Sequence, residues 1–250
     1  MKLLSFCLFF ILSCTQVVAQ DYASLIAEAD RLESIPQEKA AFSKFKEALK
    51  LQPTSLYALT KCSELCCRVG GRETSTKVRD NYYATAQVYA KTALRLYPNS
   101  DEANVVMAFS IAKSLLLKSG KEKITAVKEL KSYGEKAVAE NSRNFKAWHV
   151  LGKWHYEVSG LNPIERAGAK IMYGGLPPAS LKNSIMYYEK ARSLAPNFTL
   201  NYLELAKAYH RNEETQKAIT LLKQLLVIKT QTEDDPRIKK EAEGLIAKWN

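Results

Sequence analysis

The sequence predicts an all-α chain: a right-handed solenoid of about five helix pairs, closed by a C-terminal capping helix. Two observations carry this. Small and apolar residues recur at steps of four, three and five, in Ala41, Phe45, Ala48 and Pro53, in Ala86, Ala90, Ala93 and Pro98, and in Ser184, Tyr188, Ala191 and Pro196; Leu130, Gly134, Ala137 and Ser142 repeat it with serine for proline. Steps of four and three place residues on one helical face, and the proline stops the helix just beyond its last turn. Finally, the chain has only 10 Gly and 8 Pro in 250 residues but is 46% hydrophobic, too few turn formers for a loop-rich β fold and enough apolar residues for a core.

The N-terminal segment stands apart. Met1-Lys2 is a short basic start, Leu3 to Leu12 is apolar except for Ser5, and Val17-Val18-Ala19 is a small-residue cleavage site. This reads as a signal peptide over residues 1–19, with Gln20 as the new first residue and an exported, periplasmic or secreted product. Ile11-Leu12-Ser13-Cys14 offers the alternative of a lipoprotein box with Cys14 as the lipidated residue. The apolar run is too short to span a bilayer, and no later stretch approaches the length needed, so the mature chain is expected to lack a transmembrane segment.

Residues 20–250 read as one helical domain. Asp21 to Ser34 and Gln37 to Leu51 form the first pair, and four more follow, the last being Leu200 to Arg211 with Glu213 to Ile228. The opening helix of a pair is clearest in Ala147-Trp148-His149-Val150-Leu151-Gly152, continuing to His155 and Tyr156. Aligned on it are Asn201-Tyr202 with Leu205-Ala206 and Tyr209, Ala103-Asn104 with Met107-Ala108 and Ile111, and Ala58-Leu59 with Cys62-Ser63 and Cys66. A small residue beside a large one lets the partner helix approach closely while the large side chain fills the gap, so Trp148, Leu151, Gly152, Tyr188, Ala191, Tyr202 and Tyr209 are assigned to the repeat core. Pro236 to Trp249 begins with proline at a helix start and carries Ile238, Ala242, Leu245, Ile246 and Trp249, as a capping helix would.

The pattern A-W-x-x-L-G-x-x-Y, followed by A-x-x-x-F-x-x-A and Pro, resembles the tetratricopeptide repeat (TPR), whose usual period is about 34 residues. Here the equivalents Leu59, Asn104, Trp148 and Tyr202 lie 45, 44 and 54 residues apart, so extra residues fall within the pairs, at Gly70 to Asn81, Ser119 to Lys123 and Gly160 to Ser180. In the last insertion, Asn162 to Lys170 is expected to form a short extra helix opened by Pro163, followed by a loop through Gly174-Gly175 and Pro177-Pro178. Gly152 to Ser159, Leu161, Ile164-Glu165, Leu176-Pro177 and Leu194 to Phe198 together resemble the regulator of microtubule dynamics family over roughly Asn144 to Ile246. That resemblance implies a TPR-like domain without catalytic residues, associated in animals with microtubules and organelle contact sites, and in one branch with phospholipid binding. An exported chain would not meet tubulin.

No metalloprotease, nucleophile-elbow, phosphate-loop or dinucleotide motif is present, so neither an enzyme nor a cofactor or metal is expected. His155 falls at a packing position, and Cys62, Cys66 and Cys67 fall where small buried residues pack against the partner helix. Three cysteines after leader removal make no disulfide framework. Lys113 to Lys136 is dense in lysine interleaved with glutamate, as on solvated helix faces. A net charge of +11 favours anionic partners; nucleic acid is not expected, for want of a recognised module.

The opening helices of such pairs line a groove. Counting inward-facing positions from the tryptophan equivalents gives His149, Lys153 and Tyr156; Leu203, Lys207 and His210 with Arg211; and Phe109 with Lys113. This mixture of apolar groups and cations suits a protein or acidic peptide partner held by a non-enzymatic scaffold; the alternative is a carrier of an amphiphile such as an anionic lipid. TPR domains that clamp a C-terminal carboxylate use Lys and Asn where this chain has Thr60 and Glu64, and Glu64 is expected to repel such a group.

Overall fold

The computed structural model describes residues 20–250, the side chain of Leu116 excepted; the signal peptide assigned to residues 1–19, with Cys14, lies outside them. Among the described residues there are twelve α-helices and no strand. Helix α1 (20–34) pairs with α2 (Glu38–Leu51), α3 (Leu56–Arg72) with α4 (Thr76–Leu96), and α5 (Asp101–Ser114) with α6 (Gly120–Glu140). Helix α7 (Phe145–Ser159) pairs with α9 (Leu181–Leu194) across the inserted α8 (Pro163–Tyr173), and α10 (Thr199–Arg211) pairs with α11 (Thr215–Val227). Helix α12 (Asp235–Trp249) packs on α11 and α10 as the cap. The fold is a TPR-like α-solenoid.

The junctions between pairs follow from the recurring sequence. Ala48, Ala93, Ala137 and Ala191 are fully buried, and each carbonyl accepts the backbone N–H that ends its helix, from Gln52, Tyr97, Asn141 and Ala195. A few residues on, Ser55, Ser100 and Asn144 cap α3, α5 and α7 by accepting the N–H of Ala58, Ala103 and Ala147. Stop, two-residue spacer and cap thus sit in one short segment, which turns the chain sharply and keeps successive pairs in register.

Close approach does the rest. A methyl group on Gly152 would lie 2.7 Å from the Tyr188 ring, and one on Gly134 would lie 2.9 Å from Leu151. Tyr188 is fully buried between α7, α9 and α10, joined by Tyr202, Leu205 and Leu222. The cysteines are buried as packing residues with Phe45, Leu65 and Ala86. Burial pushes the Cys62 and Cys67 thiols up to about 12 and moves Cys66 in the same direction, which leaves little thiolate for chemistry.

The inserted helix forms as expected. Asn162 and Glu165 make a reciprocal capping box, with Asn162 accepting the Glu165 N–H at 2.9 Å and Glu165 accepting the Asn162 N–H at 2.9 Å. Pro163 opens the helix, and Gly174 and Gly175, at φ 72° and 77°, close it.

The ends of the solenoid meet. The Glu38 N–H donates to the Glu233 carboxylate at 2.7 Å, and the Glu233 N–H donates to Glu38 at 3.2 Å, across 195 residues. The first pair therefore touches the segment that leads into the capping helix, and the superhelix closes on itself.

Gly152→Ala is expected to destabilise the chain by about 1–3 kcal/mol through overpacking against Tyr188. Gly168→Ala, with nothing within 4 Å of the new methyl, is expected to be neutral or stabilising by about 0.5–1 kcal/mol. Urea denaturation of both variants checks the contrast.

Candidate binding face

The inner side of the solenoid is marked by contacts between opening helices two repeats apart, which only the inside of a curve permits. Lys61, Glu64, Arg68 and Arg72 fall at steps of three and four on α3 and form one stripe. Lys146 at the start of α7 reaches across to Glu64 at 2.7 Å and also lies 3.5 Å from Glu102. Burial alone would raise the Glu64 carboxyl, but Lys146, Arg68 and Lys61 outweigh it and hold it at about 2. The carboxylate expected to repel an incoming acid is therefore spoken for: Lys146, 82 residues away, neutralises it.

Further along, Glu33 of α1 pairs with Lys61 at 2.8 Å and Arg68 at 2.6 Å. Glu38, with no exposed surface, accepts from Arg72 at 2.6 Å and lies 3.5 Å from Arg68. Arg72 also pairs with Glu233 at 3.1 Å and Asp234 at 3.2 Å, so a single guanidinium joins α2, α3 and the entry to α12. Asp235 accepts the Thr199 hydroxyl at 2.6 Å and the Gln231 and Thr232 N–H groups, which fixes that entry on α10.

The residues assigned to the groove divide into two sets. His149 and Leu203 are buried and do not face open solvent, contrary to the positional expectation. His149 packs on Tyr188 and Phe198, and its Nδ1 lies 3.0 Å from Asn201 Oδ1. Because Asn201 Nδ2 donates to the Tyr188 carbonyl, the oxygen must accept, which makes His149 Nδ1 the protonated nitrogen. Burial holds the His149 pKa below its ordinary value. Helices α7 and α10 meet at these positions, with His149 on Asn201, so His149 and Leu203 serve packing between repeats.

The remaining positions are half-buried along the inner side. Lys153 pairs with Glu204 at 2.7 Å and Glu157 at 2.9 Å, and Lys207 pairs with Glu241 at 2.7 Å and Glu204 at 3.3 Å. The two lysines share a nearly buried carboxylate; burial raises Glu204, and the lysines together bring it below its ordinary value. The Arg211 guanidinium lies 3.9 Å from the Tyr156 ring centre and donates to the Ser159 hydroxyl. His210 stacks on Trp249 of the cap at 4.0 Å. Phe109 packs among the clusters of α3 to α5, and Lys113 reaches toward Gly71 at the end of α3. Tyr156, Lys153, Arg211 and Lys207 are therefore brought into one region, while Phe109 and Lys113 lie apart, nearer α3.

Of the repeat-core positions, Leu151, Gly152, Tyr188, Ala191 and Tyr202 are buried. Trp148 and Tyr209 are half-buried, with Trp148 Nε1 donating to the Ser142 carbonyl and the Tyr209 hydroxyl to Glu189. Sequence reasoning missed Arg68, Arg72, Glu38 and Glu233. The three-four stripe on α3 was available as a signal for the arginines, whereas nothing local marks Glu233 as the partner of Glu38.

Two outcomes follow from these pairs. Arg72→Ala is expected to cost about 3 kcal/mol, because it strips the closest cation from a fully buried carboxylate; hydrogen exchange in residues 229–235 should quicken, and unchanged exchange would mean the ends stay joined without it. The folded Glu64 carboxyl lies below its ordinary 4.5, so its contribution is complete above that pH and is lost as pH falls toward about 2. Glu64→Gln is expected to flatten the stability curve in that acid window, as read by urea titrations at stepped pH.

The sequence family of regulator of microtubule dynamics protein 1-3 matches residues 25–250. Regulator of microtubule dynamics protein 1 of Mus musculus is 28% identical over 159 residues, covering 63% of this chain and 52% of its own length. That of Caenorhabditis elegans is 24% identical over 187 residues, covering 75% of this chain and 80% of its own length. The chain thus spans about half of the mouse relative. The crystal structure of a thermophilic TPR protein from Thermus thermophilus superimposes with a TM-score of 0.67 at 14% identity, over 90% of this chain and 99% of that one, and so shares the fold. With the family match running through every helix pair to the last residue, the chain belongs to the regulator of microtubule dynamics protein 1-3 family.

Proposed function

We propose that this chain is a non-enzymatic interaction scaffold that holds an acidic segment of a protein partner along its inner face, at Tyr156, Lys153, Arg211, Lys207 and His210, with Phe109 and Lys113 further along. One observation carries the reading. The cations there are paired unequally: Glu204 is nearly buried, but Glu157 and Glu241, the other partners of Lys153 and Lys207, are 61% and 39% exposed. An incoming carboxylate can replace an exposed partner at small cost, since a solvated ion pair contributes little. The buried Glu204 meanwhile keeps both lysines oriented. Arg211, which has no carboxylate partner among the described residues, adds a planar donor beside an aromatic ring.

Carriage of an amphiphile is the second reading, in line with the anionic-lipid alternative. The inner face between α3, α7, α10 and α12 is lined by charge pairs, which favours a polar segment over an acyl chain. Export belongs to the same proposal, with Gln20 as the first residue of the mature protein; N-terminal sequencing checks this, and Met1 in that place counts against it. An exported domain does not meet tubulin, so the element carried over from the family is the helical scaffold.

A photo-crosslinking residue at position 156 is expected to capture a partner, while the same residue at exposed position 186 on α9 is not. Capture from 186 alone would move the site off the inner face. Organic extraction of the native protein followed by mass spectrometry tests the other reading: co-purified phospholipid or fatty acid would reverse the order of the two.

A further inference from the structure

Helix α8 is built inside out. Its contacts with the body are made by polar or small groups: the Arg166 guanidinium donates to the carbonyls of Val158, Ser159 and Leu161, Ala169 is buried, and the Tyr173 carbonyl accepts from Lys128 at 3.2 Å. Its apolar residues point the other way. Ile164 is 83% exposed, Ile171 84% and Met172 66%, and Ile164 and Ile171, seven residues apart, stand on one outward stripe with Ala167 between them. Capping box, proline and glycine end hold the helix without these side chains, so folding does not require them. A contiguous apolar stripe facing water on a fixed helix marks an interaction surface.

The charges beside the stripe select the occupant. The end of α8 lies against the start of α6, where Gly120 is next to the Tyr173 hydroxyl. Lys118 and Lys131 are paired with Glu122 and Glu135, but Lys121, Lys123, Lys128 and Lys170 have no carboxylate at ion-pair distance among the described residues. A second copy of this chain docking symmetrically through the stripe would bring these four lysines toward their counterparts and be repelled. An extended anionic surface with an apolar interior satisfies both features. We propose that α8 is an interfacial membrane helix, lying in the plane of an anionic bilayer with Ile164, Ile171 and Met172 among the acyl chains and the lysines at the phosphates. An eleven-residue helix with three large apolar groups anchors weakly by itself, so apolar insertion and charge attraction must act together. This surface is separate from the inner face and does not depend on what that face holds.

Cosedimentation of the full chain with vesicles tests it. Binding is expected to vesicles of phosphatidylcholine mixed with phosphatidylglycerol, and to be much weaker with phosphatidylcholine alone. Ile164→Ser with Ile171→Ser is expected to reduce the bound fraction about tenfold or more, with the thermal midpoint unchanged because neither side chain supports the fold. Lys121→Gln and Lys123→Gln are each expected to weaken binding about fivefold at low salt and less at high salt. Hydrogen exchange over residues 163–173 is expected to slow on the anionic vesicles. Equal binding to both vesicle types, wild-type binding by the serine variant, or a stripe that instead mediates contact with a soluble acidic protein while the chain ignores vesicles would each overturn the proposal.

Discussion

A carboxylate sealed from water survives only where cations and amides surround it, and Glu38 obtains them from both ends of the chain. Arg68 and Arg72 arrive from the neighbouring pair, and the Glu233 N–H from the segment before the last helix. In an open solenoid each repeat touches only its neighbours, and stability is close to a sum of adjacent terms. Here a contact spanning 195 residues joins first to last, so loosening either end exposes the same buried charge. The inner face inherits its geometry from this closure: tight curvature is what lets Lys146 reach Glu64 two repeats away and leaves the lumen lined with paired charges.

Those pairings separate two kinds of electrostatics in one molecule. On the inner side Lys146, Lys153 and Lys207 are matched by glutamates from other helices, and Arg211 instead lies on the Tyr156 ring. Lys121, Lys123, Lys128 and Lys170 beside α8 are in no ion pair among the described residues. Paired charges thus set the local order of the inner face, while the lysines beside α8 stand free of such pairing.

The repeat architecture was legible in the sequence because it is local. Steps of four and three and a proline stop act within about one or two helical turns, and the helices end where those signals stand. The inserted helix was readable for the same reason, with Asn162, Pro163 and Glu165 forming its start. The inner face was harder. Lys153 and Lys207 read as free cations because Glu204 and Glu241 come from other elements, and Glu64 read as repulsive because Lys146 is 82 residues away. His149 and Leu203 stand at positions that a groove rule turns inward, and packing between α7 and α10 buries them instead. The outward apolar face of α8 was hidden too, since periodicity gives the stripe but not the side on which the body lies.

Joining the two ends also makes the number of repeats a fixed quantity. Open solenoids lengthen by duplicating a unit, because a new pair only has to match its neighbours. A sixth pair added here would carry Glu233 and Asp234 away from Arg72 and remove the Glu233 N–H from Glu38. Extra sequence can enter without that penalty only inside a pair, where it bulges outward and leaves the turn intact. The interval between α7 and α9 is such a place, and α8 occupies it: growth of this chain is confined to its rim, where new surface can be added while the ring keeps its count.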